Sequence, residues 1–261
     1  MRRLLFVGDI VGEPGLGYLE TRLPELIATH RPEFVIANAE NLSLTRPEAA
    51  GSFGMTPGAL ERLFAAGVQM VTGGNHSWDG PHGLTAHRDR RVLRPLNYGS
   101  RAPGKGAGVV QRNGFRLGLI NLTSRTALAQ ADHPLDAFET QLAAWQGEVD
   151  GVLVDFHGES VVEKLTFAYA VAGRAVAVLG THTHVPTLDT RILPGGTAYV
   201  SDVGMTGPSE GLQGLAPEPF VEQARSRLPA SVPLRLAEGP VELGAIEIDL
   251  DGAGAAAIRR L

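Results

Sequence analysis

The sequence predicts an α/β fold, and three observations support this. Short apolar runs with the character of buried strands alternate with longer segments in which apolar residues recur at helical spacing. The 33 Gly and 17 Pro residues fall between these segments as turn residues. Polar residues that can bind metal ions directly follow several of the runs. With 261 residues, 43% of them hydrophobic, the chain can bury a large core, and we expect residues 1–261 to form a single domain.

Composition narrows the function. The absence of cysteine excludes disulfides and thiolate ligands, so any metal ion must be bound by His, Asp, Glu or Asn. A formal net charge of −5 argues against binding of long nucleic acids, which needs clustered Lys and Arg. The N-terminal apolar run is stopped by Asp9, and no stretch approaches the roughly 20 apolar residues of a membrane span. We therefore expect a cytoplasmic protein that does not bind membranes.

The first third of the chain contains three predicted strands with candidate ligands at their ends. These are Asp9 after the strand Arg3 to Val7, Glu40 and Asn41 after Phe34 to Asn38, and Asn75 and His76 after Val68 to Thr72. Taken alone, Asp9 could equally cap the next turn. Because open α/β sheets bind ligands at the carboxyl ends of their strands, we expect these side chains to share one edge.

The connecting segments predict helices and a hairpin. Helical spacing covers Leu16 to His30 and Pro57 to Ala66, with Thr56 as the cap of the second helix. Gly108 to Gln111 and Phe115 to Asn121 are predicted as antiparallel strands, so the sheet system is mixed.

The next loop carries Arg125, which could reach a phosphate but as a lone Arg more commonly faces solvent. Ser201 to Pro208, much later in the chain, could line a pocket or form a structural turn.

The second half adds three histidines at strand ends. A helix is predicted around Phe138 to Trp145, then a strand at Gly151 to Asp155 that leads to His157. A helix at Val161 to Val171 and a strand at Ala175 to Leu179 lead to His182 and His184. In extended backbone, alternate side chains point the same way, so we expect the two imidazoles on one side. Further strands are predicted at Thr197 to Val200 and Val241 to Leu250. The four other histidines are expected at the surface or in loops: His30, His82, His87 and His133.

The candidate ligands exceed the needs of one metal ion. Two carboxylates, two amides and up to four imidazoles are too many for one tetrahedral zinc ion, and they suit two ions. Nitrogen and oxygen ligation without sulfur fits iron, manganese or zinc. A two-metal centre lowers the pKa of bound water and favours phosphoester hydrolysis. A nearby unliganded His could then protonate the leaving oxygen.

The motifs resemble those of the calcineurin-like metallophosphoesterases, and in detail those of the YmdB-type family. The similarity runs nearly end to end, and the strings that carry it are Gly8-Asp9-Ile10-Val11-Gly12, Asn41, Gly74-Asn75-His76, Val154-Asp155-Phe156-His157, Gly180 to Val185, Leu193 to Tyr199 and Asp202 to Pro208. The resemblance implies a four-layer α/β/β/α sandwich. It also implies a phosphodiesterase that hydrolyses 2′,3′-cyclic nucleotides such as 2′,3′-cAMP.

The resemblance further assigns roles to individual residues. One metal ion would be bound by Asp9, Glu40, Asn41 and His184, and Glu40 would bridge to a second ion bound by Asn75, His157 and His182. His76 would be the proton donor in an attack by metal-activated hydroxide. The family centre implies iron in both positions, with manganese supporting activity.

Four positions depart from the motifs of the resemblance. Most calcineurin-like enzymes have His where Val11 stands and a bridging Asp where Glu40 stands, but the YmdB-type group shares both changes, with Asn41 in place of the missing imidazole. Against that group, Ser124 replaces an expected Gly, and Leu42 to Arg46 lacks the usual Gly/Lys-rich character. These last two differences fall in predicted substrate loops and concern substrate preference.

Other functions stay open at this point. The same site could serve a phosphomonoesterase or a nuclease, or a metal-containing regulatory protein that acts through a partner. A non-phosphate amidohydrolase is disfavoured, because its His-x-His pair would follow the first strand rather than come late. A homo-oligomer is compatible with the sequence, which does not determine the oligomeric state.

Overall fold

The computed structural model describes residues 1–44 and 53–261. Strands and helices alternate as the sequence predicts. In chain order they are β1 (Arg2–Val7), α1 (Gly12–His30), β2 (Phe34–Asn38), α2 (Pro57–Ala65), β3 (Met70–Thr72), α3 (Gly83–Ala86), β4 (Val92–Leu93), β5 (Ala107–Arg112), β6 (Phe115–Thr123), α4 (Pro134–Ala144), β7 (Gly151–His157), α5 (Val161–Ala170), β8 (Ala177–Thr181), β9 (Arg191–Leu193), β10 (Thr197–Val200), β11 (Gly207–Pro208), α6 (Glu218–Ser226), β12 (Val241–Glu242), β13 (Ala245–Asp251) and β14 (Gly254–Arg260).

Two mixed six-stranded sheets form the centre of the fold. The first has the order β14-β13-β1-β2-β3-β4, and the second has the order β5-β6-β7-β8-β10-β9. Strands β1 to β4 run parallel, as do β6, β7, β8 and β10, whereas β13, β14, β5 and β9 pair antiparallel. Within each parallel set the carboxyl ends meet at one edge, which places the strand-end residues together.

Hydrophobic contacts define four layers. Phe6 and Ile36 of the first sheet pack with Leu119 and Leu153 of the second, so the sheets face each other across one core. On the outer face of the first sheet, apolar residues pack against α1 and α2. On the outer face of the second sheet, they pack against α4 and α5. This is the α/β/β/α sandwich with mixed sheets that the sequence and its resemblance predict.

Most predicted elements are confirmed with small shifts, and one predicted strand near the C-terminus is divided into two. Val241 to Leu250 is not one strand, because Val241–Glu242 pair with β11 whereas Ala245–Asp251 pair with β1. Strand β14 and helix α6 lack a clear sequence signal and are additional. In the described part of the chain, no helix combines the length and apolarity needed to cross a bilayer. The segment Leu42 to Arg46 is described only as far as residue 44.

A charge network lies on the first sheet. Glu247 and Asp249 on β13 are buried, with 2% and 7% of their surface exposed. Arg259 Nη2 lies 2.7 Å from Glu247 Oε1 and 2.5 Å from Asp249 Oδ2, and Arg3 Nε lies 2.9 Å from Asp249 Oδ1. His30 at the end of α1 places Nδ1 2.7 Å from Glu247 Oε2. Both buried carboxylates therefore have permanent cations beside them.

The histidines outside the strand ends divide into two kinds. His82 and His133 are exposed, as expected. His87 lies in the turn after α3, as expected for a loop histidine, but it is buried: its side chain is 5% exposed and bonds through Nδ1 to Gly83 O at 2.8 Å. His30 is partly buried through its contact with Glu247 rather than free at the surface. The partner of His30 is far away in the sequence and becomes a neighbour only in the folded chain. The partner of His87 lies four residues earlier, at the start of α3.

Candidate metal centre

The structure brings all eight strand-end residues together. They lie where β1, β2, β3, β7 and β8 end. They are Asp9, Glu40, Asn41, Asn75, His76, His157, His182 and His184. Asp9, Glu40, Asn41 and His157 have between 0% and 2% of their surface exposed. The principle that parallel strands gather ligands at their carboxyl ends therefore describes this chain correctly.

His157, Asn75 and His182 form one set of contacts, which we call the His157 group. His157 Nε2 lies 3.0 Å from Asn75 Oδ1 and 3.0 Å from His182 Nδ1. Glu40 Oε1 lies 3.0 Å from the same nitrogen. Ligand atoms of Glu40, His157 and His182 all fall within 4.8 Å of one another, a spacing that suits one metal ion.

Asp9, Asn41 and His184 form a second set, which we call the Asp9 group. His184 Nε2 lies 3.0 Å from Asn41 Nδ2 and 3.9 Å from Asp9 Oδ1. Glu40 Oε1 lies 3.4 Å from Asn41 Nδ2, so this carboxylate contacts both groups. Asp9 also contacts the His157 group, since its Oδ1 lies 3.9 Å from His157 Nδ1 and its Oδ2 accepts from His182 N at 3.2 Å, so the two groups adjoin at Glu40 and at Asp9.

The loop after β8 differs from the sequence prediction. The strand ends at Thr181, and His182 and His184 have φ values of 101° and 65°, outside extended backbone. The prediction that strand alternation points both imidazoles the same way is therefore wrong. The loop instead turns His182 towards His157 and His184 towards Asn41. Positive φ costs a residue with a side chain about 1–3 kcal/mol, so the surroundings must stabilise this loop.

A buried ion pair holds that loop. Lys164 of α5, 1% exposed, donates from Nζ to Thr181 O at 2.9 Å and to Asp202 Oδ2 at 3.1 Å. Asp202 Oδ2 also accepts from Thr183 N at 3.0 Å. A Cβ on Gly180 would lie 1.8 Å from Ser201 O, so only glycine allows this close approach. The loop is thereby fixed from both sides.

A hydrogen-bonded chain orients His157 from below. Its Nδ1 donates to Thr181 Oγ1 at 2.9 Å, and the Thr181 hydroxyl donates to Asp155 Oδ1 at 2.7 Å. Asn38 Nδ2 donates to Asp155 Oδ2 at 2.9 Å. Whenever His157 is neutral, these hydrogen bonds hold its proton on Nδ1 and leave Nε2 free to bind a cation beside Glu40 and Asn75. Such outer partners are a usual companion of a metal-binding imidazole.

His76 has a different environment. Its ring stacks on Phe53 with 4.2 Å between centroids, and its Nδ1 lies 2.8 Å from Asp79 Oδ2. Its backbone N–H donates to Glu40 Oε2 at 3.2 Å. The imidazole therefore borders the ligand cluster while its Nδ1 is already occupied by Asp79, leaving Nε2 as the nitrogen that can exchange a proton with a substrate.

Buried charges set the protonation of the centre. Burial raises the pKa of Asp9 to about 6, although His184 and His157 oppose this. Burial also tends to raise the pKa of Glu40, but the charge and hydrogen bond of His157 outweigh it and lower that pKa. For His157, burial is outweighed by the charges of Glu40 and Asp9, which raise its pKa. Burial and the charge of His157 lower the pKa of His182 to about 3.

The donor set fits metal ions. Glu40 Oε1, Asn75 Oδ1 and His182 Nδ1 each lie 3.0 Å from His157 Nε2, and the single proton that this nitrogen can carry satisfies only one of them. Asp9 Oδ1 and Asn41 Oδ1 are buried without a hydrogen-bond partner. Buried polar atoms are otherwise almost always paired, so these oxygens suit a cation.

A cleft of about 270 Å³ opens on the centre. Glu40, His76, His182 and His184 line its polar part, and Glu159 Oε2 lies 3.3 Å from His182 Nε2 at the rim. An apolar side completes the cleft, and the residues on it are Leu44, Phe53, Leu215, Phe220 and Leu234. Sequence reasoning missed this side, because its residues come from segments without strand or helix periodicity.

Among the described residues, neither Arg125 nor the segment Ser201 to Pro208 lines the cleft. Arg125 lines a separate groove between α4 and α5, and its backbone N–H donates to Glu163 Oε1 at 3.0 Å. The segment Ser201 to Pro208 supports the centre from behind, since Thr206 N donates to Asp9 O at 2.8 Å.

The four-layer sandwich with carboxylate, amide and imidazole residues at its strand ends is the fold of the metallophosphoesterases. Comparison with known proteins is more specific. A family model described as YmdB-like protein matches residues 5–261, and the chain belongs to this family.

Individual relatives agree with that assignment. A 2′,3′-cyclic-nucleotide 2′-phosphodiesterase of Bacillus subtilis (strain 168) is 39% identical over 250 residues, covering 95% of this chain and 91% of the relative. The crystal structure of a hypothetical protein from Thermus thermophilus superposes with a TM-score of 0.90 at 37% identity and covers 99% and 98% of the two chains. A novel phosphatase from Mycoplasma pneumoniae gives a TM-score of 0.89 at 27% identity, with coverage of 100% and 92%.

Proposed function

We propose that this chain is a metal-dependent phosphodiesterase that hydrolyses 2′,3′-cyclic nucleotides. The observation that carries the proposal is that a carboxylate oxygen of Glu40 and the amide oxygen of Asn75 each lie 3.0 Å from His157 Nε2. The Bacillus relative, whose name states this activity, supports the substrate class. Sequence identity of 39% over 95% of the chain makes it a suitable guide to the reaction.

The two groups of ligands suggest two ions. In the proposed centre Asp9, Asn41 and His184 would hold one ion, Asn75, His157 and His182 would hold the other, and Glu40 would contribute its carboxylate to both. The mixed nitrogen and oxygen donors are compatible with iron, manganese or zinc. We propose iron, as the family resemblance implies. When bound, two such ions would neutralise phosphate oxygens and activate a water molecule as nucleophile.

The protein's own residues would handle the proton and the geometry. The P–O2′ bond of the cyclic phosphodiester breaks, and the product is a nucleoside 3′-monophosphate. His76, oriented by Asp79, donates its proton to the departing O2′. Asp155 and Thr181 keep His157 in the tautomer that leaves Nε2 free to bind. His182 and His184 are kept in place by the Lys164–Asp202 pair.

The test is a His76→Ala variant compared with His82→Ala, an exposed histidine away from the cleft. We expect His76→Ala to lower turnover of 2′,3′-cAMP by about 10²-fold or more and to leave the metal content unchanged, because general acid catalysis contributes 10²–10⁴-fold. His82→Ala should match the parent protein. Normal turnover by the His76 variant would show that another group is the proton donor.

A substrate panel separates this function from its neighbours. The proposal predicts turnover of 2′,3′-cyclic nucleotides above that of p-nitrophenyl phosphate and RNA. Elemental analysis of the same preparation gives the identity and number of the metal ions. A metal-loaded protein that turns over none of these esters would instead favour a regulatory role. The single domain and the cytoplasmic location stay predictions.

A further inference from the structure

We propose that the apolar side of the cleft binds the nucleobase of the substrate by stacking and apolar contact, and that the described residues of this side do not read the edge of the base. We call this surface the apolar wall, and it consists of Leu44, Phe53, Leu215, Phe220 and Leu234. The inference rests on the proposed phosphodiesterase function. It adds a base-binding site and a prediction of which nucleotides the protein accepts.

The apolar wall is built from separate parts of the chain. Leu44 follows β2, Phe53 precedes α2, Leu215 precedes α6, Phe220 lies on α6, and Leu234 follows it. Together with Val11 and Met205 these residues form a small hydrophobic cluster that is distinct from the three larger cores of the sandwich. Phe53, Phe220 and Leu234 are only partly buried. The cluster therefore presents apolar surface to the cleft.

Phosphoester chemistry alone does not account for this surface. Phosphate, metal ions and water all interact with polar groups, and the opposite side of the same cleft provides them. Apolar surface left facing water is unfavourable, whereas a flat aromatic ligand would cover it. In a nucleoside 2′,3′-cyclic phosphate the base projects from the ribose away from the phosphate. A phosphate at the polar side would place the base towards the wall.

The wall also predicts how selective the site is. Its five side chains are hydrocarbon and cannot form hydrogen bonds with the edge of a base. The polar neighbour Gln213 is held towards the loop after β8, since its Nε2 donates to Thr183 O at 3.1 Å and its backbone O accepts from His184 Nδ1 at 3.0 Å. Contact with the face of a base is tolerant of base identity. We therefore expect the four common 2′,3′-cyclic nucleotides to differ by less than about tenfold in kcat/KM.

The experiment compares a substrate with a base and one without. Metal-loaded protein is assayed with 2′,3′-cAMP and with glycerol 1,2-cyclic phosphate, which has the same five-membered cyclic phosphodiester. Phe220→Ala and Leu234→Ala are expected to lower kcat/KM for 2′,3′-cAMP by about tenfold, mainly through KM. For glycerol 1,2-cyclic phosphate the change should stay within about twofold. Phe53 is not used, because it stacks on His76.

Val221→Ala is the matched control. Val221 lies beside Phe220 on α6, is 41% exposed and does not line the cleft. Val221→Ala should leave kcat/KM unchanged for both substrates. A loss in this variant would reveal a general effect of substitutions in α6. Equal losses for both substrates in the Phe220 and Leu234 variants, or no loss for either, would overturn the base-binding role. A preference above about 100-fold for one base would overturn the predicted tolerance.

Failure of the proposed function can be told apart from failure of this inference. If the parent protein hydrolyses neither cyclic phosphodiester, the phosphodiesterase proposal is wrong. Calorimetric titration with adenosine 3′-monophosphate and with inorganic phosphate then tests the wall by itself. Weaker binding of the nucleotide, with phosphate binding unchanged in Phe220→Ala, supports the base site. Equal binding of the nucleotide by both proteins contradicts it.

Discussion

Two clusters of buried carboxylates belong to the first sheet, and they are neutralised in different ways. Glu247 and Asp249 have the guanidinium groups of Arg3 and Arg259 within 3.3 Å. Asp9 and Glu40 are at least as buried, yet in the described residues their cationic neighbours within 4.0 Å are imidazoles alone.

This difference separates a structural cluster from a binding site. A buried carboxylate with a permanent cation beside it is complete and contributes to the fold. A buried carboxylate with imidazoles and unpaired oxygens beside it lacks positive charge whenever those imidazoles are neutral. The second arrangement is therefore the one expected to take up metal ions. The predictions below test that distinction, from the largest expected effect to the smallest.

Lys164 is the place where a permanent cation supports the metal centre itself. Lys164→Met leaves the carboxylate of Asp202 buried without its partner, which costs about 3–5 kcal/mol of unfolding free energy. The double variant Lys164→Met/Asp202→Asn removes the uncompensated charge and should recover part of that loss. Urea denaturation of the three proteins measures this. Equal stability of the single and double variants would mean that the ion pair is not what holds the loop.

Metal ions should stabilise the protein through Glu40. Adding Mn²⁺ at about 100 times its dissociation constant to metal-free protein should increase the unfolding free energy by about 2.7 kcal/mol. Glu40→Gln should abolish that increase and the activity with it. Asp249→Asn alters the arginine-neutralised cluster, by which we mean Glu247 and Asp249 with Arg3 and Arg259 beside them. This variant should retain the full increase in unfolding free energy. Thermal unfolding with and without Mn²⁺ shows both results, and an increase retained by Glu40→Gln would contradict the assigned bridge.

Thr181→Val tests the chain that orients His157. The substitution preserves size and removes the hydroxyl between His157 Nδ1 and Asp155. Loss of such an outer partner lowers metal affinity by about 10–100-fold. Competition with a chelator at fixed pH measures the affinity, and Thr126→Val, at an exposed hydroxyl, is the control. Unchanged affinity would indicate that packing alone orients the imidazole.

The smallest effect is a pH dependence of the arginine-neutralised cluster. Burial tends to raise the pKa of Asp249, but hydrogen bonds from Arg259 and Arg3 outweigh it and lower that pKa. A lowered folded-state pKa adds stability above the unfolded value near 3.9, and this stability is lost as pH falls through the folded value. Asp249→Asn should remove this loss of unfolding free energy at low pH, which amounts to less than about 1 kcal/mol. Urea midpoints between pH 5 and pH 3 measure it, and an unchanged slope would exclude Asp249 as the titrating group.

The strand-end residues were predictable because their positions depend on local pattern. An apolar run of five or so residues sets the strand, and the next polar residue then falls at the sheet edge. Phe34 to Asn38 and Thr197 to Val200 have the predicted bounds, and every candidate ligand lies at that edge. The division into two metal positions came from the family resemblance and stays a prediction.

The supporting residues were not predictable in the same way. Lys164 and Asp202 are 38 residues apart, and neither a helical Lys nor a loop Asp indicates its partner. The positive φ of His182 and His184 depends on those distant contacts, which is why strand alternation failed there. Phe220 and Leu234 lie in segments with many polar and Pro residues, where no periodicity marks a wall. Long-range contacts decide all three features.

The position of β1 between β2 and β13 has a consequence for the order of folding. Asp9 follows a strand whose second neighbour is residues 245–251, far along the chain. During synthesis, β1 can pair with β2 early, but its other edge stays open until β13 has left the ribosome. We therefore expect the first sheet to be completed last, with the unpaired edge of β1 vulnerable to association with other chains until then.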